Sequence, residues 1–146
     1  PEMCYRMRQA GWRIERLDHE MTRHDADLTR FSQFWQRARR TGHTYAEGAA
    51  TYGSAPERYK VAELRRSLLW GLAIPLLALL GAVFLTPWAL LLLLAWPVQI
   101  IRLRLRGAPW DDAVFLTIGK LAEVQGIFGY WRGRLTGRRR GLIEYK

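Results

Sequence analysis

From Ser67 through Ile101 the chain carries no charged residue: "SLLWGLAIPLLALLGAVFLTPWALLLLLAWPVQII". The protein has 146 residues, with 23 Lys and Arg and 13 Asp and Glu, and all of these charges lie on either side of that run. An uncharged apolar stretch longer than about 18 residues reads as membrane-inserted. The alternative is a buried core helix. It would need the flanks to wrap a stretch too long and too apolar for them to cover.

One membrane helix uses about 20 residues at ~1.5 Å each, so the run exceeds one span and barely supplies two. Pro87 breaks the helix, and Trp88 suits a membrane interface. The pattern predicts a helical hairpin with arms at about 64–86 and 88–105. Leu103 and Leu105 extend the second arm while Arg102, Arg104 and Arg106 snorkel. Arg65 and Arg66 flank the other end, so the positive-inside tendency puts both ends in the cytoplasm. A re-entrant hairpin that dips into the bilayer without crossing fits the same pattern. Pro75 and Pro97 can each kink an arm, and neither forbids it.

The net charge of +10 implies an anionic partner. Basic residues bordering an apolar run favour a membrane with anionic lipid over nucleic acid. The single cysteine, Cys4, permits no internal disulfide.

Residues 2–10 read as a helix with Met3, Met7 and Ala10 on one face, stopped by Gly11. Trp12, Ile14 and Arg16 then alternate as a short strand, and "MTRHD" suggests a second extended piece. Two short strands make no independent sheet, so they need partners. A helix follows over about 27–50, capped by Asp25 or Asp27, with Leu28, Phe31, Trp35 and Ala38 as its apolar stripe. Gln36, Arg39 and Arg40 share another face. The helix is expected to loosen into a linker that ends at Pro56.

Beyond "GAPW", Asp111 and Asp112 open a further helix, with Val114, Phe115, Ile118, Leu121, Ala122 and Phe128 as its apolar face. Lys120, Glu123 and Gln125 interrupt that face. The pattern suits a helix lying in the interface rather than a third span. Its tail, "WRGRLTGRRRGLIEYK", suits anionic headgroups. Three segments result: 1–56, the hairpin region 57–106, and 107–146.

Few residues suggest chemistry. No Gly-rich phosphate loop, paired cysteines, Asp-x-Asp or Gly-x-Ser-x-Gly occurs. The histidines are His19, His24 and His43. His24 beside Asp25 is either a divalent-metal contact or a surface histidine. Gln36, Arg39 and Arg40 form either a grip for phosphate or sugar hydroxyls, using arginine's rigid fork of donors, or a solvated face.

"EMCYRMRQAGWRI" resembles the stretch that follows the catalytic acidic pair in family 2 glycosyltransferases of the GT-A fold, through Glu2, Met3, Arg6, Gly11 and Trp12. "QRARR" is similar to that family's Gln-x-x-Arg-Trp motif, with Gln36 and Arg39 in place and Arg40 where the pattern has tryptophan. The apolar hairpin and the ending "LIEYK" are similar to the membrane-attached bacterial branch that builds exopolysaccharide, the succinoglycan type.

The resemblance implies a mainly α chain with a membrane-inserted hairpin, preceded by the edge of an α/β GT-A domain with one or two short strands. It implies the C-terminal, anchoring part of an inverting glycosyltransferase at the bacterial inner membrane, with the catalytic part cytoplasmic. The donor would be a nucleotide sugar, and the acceptor lipid-linked or a growing polysaccharide. The catalytic base is expected before Pro1, so these residues alone would be inactive. A divalent cation, Mg2+ or Mn2+, would serve the whole enzyme, with His24 as a metal contact. Gln36, Arg39 and Arg40 would bind substrate, and Glu2, Arg6 and Trp12 would lie beside the catalytic motif. The rival expectation is a small non-enzymatic basic membrane adaptor that binds anionic lipid or a partner protein.

Overall fold

A computed structural model describes residues 2–15, 29–56 and 58–137. Its described residues form five helices and no strand. These are α1 (Glu2–Gln9), α2 (Phe31–Tyr52), α3 (Val61–Phe84), α4 (Pro87–Leu105) and α5 (Trp110–Leu135).

The expected strand is a correction. Trp12, Ile14 and the other residues of 12–15 form no strand. The physical reason is that a strand takes its hydrogen bonds from a neighbour, and none of the described elements offers an edge. Arg16 and "MTRHD" lie outside the described residues.

α1 ends as its sequence requires. Gly11 has φ +83°, the left-handed conformation that side chains disfavour. It allows Trp12 N–H to reach the Met7 carbonyl and Gly11 N–H the Arg8 carbonyl, both at 3.0 Å, which closes the helix. The face of α1 differs from expectation. Met3 and Met7 are exposed, and Tyr5 is buried against the rings of Tyr52 and Tyr59, each 4.8 Å away. The end of α2 and the corner before α3 supply an aromatic slot that Tyr5 fills.

α2 begins at Phe31, where the Gln33 side-chain oxygen accepts from Arg30 N–H at 3.0 Å. Asp25, Asp27 and Leu28 lie outside the described residues. The helix continues through Tyr52 instead of loosening earlier. Its packed face is also shifted. Phe31 is exposed, whereas Gly42, Ala46 and Gly48 are buried. The reason is close approach, because small residues let the main chains of α2 and α5 touch.

α3 and α4 form the expected hairpin, with its bend at Leu85 and Thr86. Both are long and apolar enough to cross a membrane, and none of the apolar window of α4 is buried. Each arm departs from α geometry next to a proline. In α3, Leu69–Ala73 widen into a π turn just before Pro75. Proline has no N–H to donate, and its ring crowds the carbonyl four residues back, here Gly71. The wider turn relieves that conflict. In α4, Pro87–Leu94 are 3-10, and α geometry starts at Ala95, so Pro97 falls in a first turn, where it is tolerated. Near the tip, a side chain on Gly81 would collide with the Ala89 methyl, so small residues let the arms close.

α5 follows a second glycine stop at Gly107, φ +95°. It packs along α2 and against the base of both hairpin arms. The tip segments Ile74–Phe84 and Pro87–Leu94 pack chiefly on each other. A helical base therefore carries a protruding apolar hairpin.

Candidate functional site

The face proposed from sequence lies on α2. Gln36, Arg39 and Arg40 are all exposed there, within one helical turn of each other. The seam of α2 with α5 reaches up to Arg39, because Trp35, Arg39 and His43 are spaced four apart on one stripe. Phe34 packs on Phe115 with ring centres 4.8 Å apart and the rings tilted by 54°, and the Trp35 indole N–H donates to the Gln125 side chain at 3.0 Å. A side chain on Gly126 would collide with the Arg39 carbonyl, so the main chain of Arg39 sits directly on α5. His43, one turn further, meets Tyr130 edge-on at 5.3 Å, and Arg134 donates to the Tyr130 hydroxyl at 3.2 Å. Arg39 therefore borders the seam with α5, and Gln36 and Arg40 lie further from it, all three exposed. Such an array suits a phosphate or a set of sugar hydroxyls.

Arg6 and Trp12 are exposed on and just beyond α1, and Trp12 is 67% exposed. Glu2 begins α1. His24 and His19 lie outside the described residues. Among the described residues no three His, Cys, Asp or Glu side chains converge to hold a metal ion.

A polar group missed in the sequence lies behind α2. Glu123 of α5 is 8% exposed, and Ser67, at the first position of the charge-free run, is 0% exposed. The Ser67 hydroxyl contacts the Glu123 carboxylate and lies 2.9 Å from the Glu63 carbonyl; its single proton serves one acceptor at a time. Lys120 donates to both Glu123 oxygens, at 3.0 and 2.8 Å. The available signal was Lys120 and Glu123, opposite charges three apart on one apolar helix face.

Electrostatics continue from this group to the corner between α2 and α3. Burial, and then the Glu123 charge, push the Tyr45 phenol above its ordinary range. Lys60 donates to Glu63 at 2.9 Å, and this bond holds its ammonium above the ordinary lysine value. Lys60 also lies over the Tyr45 and Tyr59 rings, at 5.3 and 5.6 Å. Both Arg58 and Lys60 have positive φ, at 47° and 61°, so the corner is strained and is held by these contacts.

No protein-family model, curated protein or solved structure matches the chain. The residues and their arrangement carry the functional argument.

Proposed function

We propose that the chain is the membrane-anchoring, acceptor-side part of an inverting glycosyltransferase. In this reading the hairpin holds the protein in a bilayer, with both its ends at the cytoplasmic surface. The Gln36, Arg39 and Arg40 face meets a lipid-linked or polysaccharide acceptor there, while the catalytic base and the nucleotide-sugar site come from outside these residues. The observation that carries the reading is that this donor-rich face is exposed while its helix is fixed to the base of a hairpin that is charge-free over 67–101. The sequence likeness around Glu2, Arg6, Gly11 and Trp12 supports it independently.

Anchoring has a physical consequence. An acceptor confined to the same membrane meets the enzyme at a raised effective concentration, with no added contact. Arginine forks can orient phosphate or hydroxyl groups of that acceptor for attack on the donor sugar. Proton removal from the attacking hydroxyl belongs to a carboxylate base.

The test uses membranes that express the complete reading frame containing this chain. They are supplied with radiolabelled nucleotide sugars and a lipid extract from the same cells. Label is expected to enter lipid or polysaccharide. Arg39→Ala is expected to depress that transfer while donor hydrolysis persists. No labelled product with any nucleotide sugar, together with tight binding of the chain to anionic vesicles, would favour the basic adaptor instead.

A further inference from the structure

We infer that Glu123 is a positioning residue that locks α2 to the membrane hairpin by holding each of them through a different part of itself. The inference rests on packing alone and is independent of glycosyl transfer.

The main chain of Glu123 holds α2. A side chain on Gly42 would collide with the Glu123 carbonyl, so the two backbones touch. Three residues further along α5, Gly126 repeats the contact with the Arg39 carbonyl. The turn of α2 from Arg39 to Gly42 is therefore seated on one turn of α5.

The side chain of Glu123 holds α3. Its carboxylate meets the buried Ser67 hydroxyl. One turn back along α5, Lys120 brings its carbonyl to within collision distance of any side chain placed on Gly71. Ser67 and Gly71 are four apart, so they present one face of α3 to Lys120 and Glu123. Two consecutive turns of α5, about 9 Å of axis, thus carry both neighbours.

Charge makes the arrangement selective. Lys120 and Glu123 sit on the same helix, so their pair exists whatever α3 does. The Ser67 hydroxyl and the seat of Gly71 on the Lys120 carbonyl both report the register of α3, and of the two only Ser67 does so through the Glu123 carboxylate. A slip of one residue rotates the hydroxyl away by about 100° and leaves a buried carboxylate oxygen without that donor. A buried polar contact of this sort adds little net stability, and its role in this inference is to disfavour wrong registers. The leucines along the hairpin present similar surfaces at each step, so Gly71 by its shape and Ser67 by its hydroxyl carry the register.

The test measures geometry, not activity. Spin labels are placed at Arg37 on α2 and Leu79 on α3, both exposed, in a Cys4→Ser background, and the chain is studied in lipid nanodiscs by pulsed EPR. The parent protein is expected to give one narrow distance. Ser67→Ala and Glu123→Ala are expected to lose it and give a broad distribution, with helix content retained. Glu123→Gln, which still accepts from Ser67, is expected to keep it. Ser67→Ala removes a single hydroxyl and so decides the matter even where Glu123→Ala fails to fold. A parent-like narrow distance in Ser67→Ala would overturn the inference, as would loss of it in Glu123→Gln.

Discussion

Gly126 of α5 lies against the main-chain carbonyl of Arg39 on α2, with no room for even a methyl group between them. The exposed Arg39 fork therefore stands on a backbone that cannot retreat. Gly126→Ala must push the two helices apart or unseat the turn. It is expected to destabilise by about 1–3 kcal/mol, as overpacking does. Thermal unfolding in detergent micelles measures this. Gly129→Ala, at a position with nothing within reach of an added Cβ, is the control and is expected to be neutral or slightly stabilising.

Tyr5 is 1% exposed and is the contact that docks α1. Tyr5→Ala removes a large buried ring and is expected to cost about 3–5 kcal/mol of local docking energy. Because α1 is short, the loss is expected to appear as local opening. Hydrogen exchange should then accelerate across Glu2–Gln9 while α5 stays protected. Equal acceleration in α5 would show that α1 is part of one cooperative unit.

The Trp96 indole N–H donates to the Trp70 carbonyl at 3.2 Å, at the π turn of α3. Trp96→Phe keeps an aromatic ring and deletes the donor. The expected cost is about 0.5–1.5 kcal/mol, the net value of one such bond. Unfolding by a denaturing detergent, followed by circular dichroism, measures it.

Lys60 and Tyr45 give the protein an alkaline limit. The Glu63 hydrogen bond raises the Lys60 ammonium, and burial followed by the Glu123 charge raises the Tyr45 phenol. Both groups hold their protons more tightly folded than unfolded. Their contribution is complete below the ordinary values, about 10 for each, and fades as pH rises through the raised ones. Melting temperature in micelles is expected to hold steady from neutrality and then fall above about pH 10. Lys60→Met should blunt that fall; an identical profile in the variant would contradict its role.

The hairpin was legible because its signals are local. Absence of charge marks the arms and Pro87 marks the break, so expected and observed arms nearly coincide. The stop at Gly11 was legible for the same reason. The seams were not. Gly42, Gly71 and Gly126 look unremarkable until a second backbone presses on each, and those partners lie far away in the chain. Tyr5 between Met3 and Met7 shows the same limit, since its slot is built by Tyr52 and Tyr59. Gln36, Arg39 and Arg40 are exposed on one turn of α2, and the support of that turn by Gly126 and Glu123 depends on tertiary contact. Lys120 and Glu123 looked like interruptions of an apolar pattern because Ser67, which contacts Glu123, belongs to another helix.

The most direct test of the central claim is flotation with liposomes followed by alkaline carbonate extraction. The second arm is long and apolar enough to cross a membrane and buries none of its apolar window. The chain is expected to float with the liposomes, to resist extraction, and to aggregate when detergent and lipid are both withdrawn. A chain that stays monodisperse in plain buffer and remains at the bottom of the gradient would contradict the account.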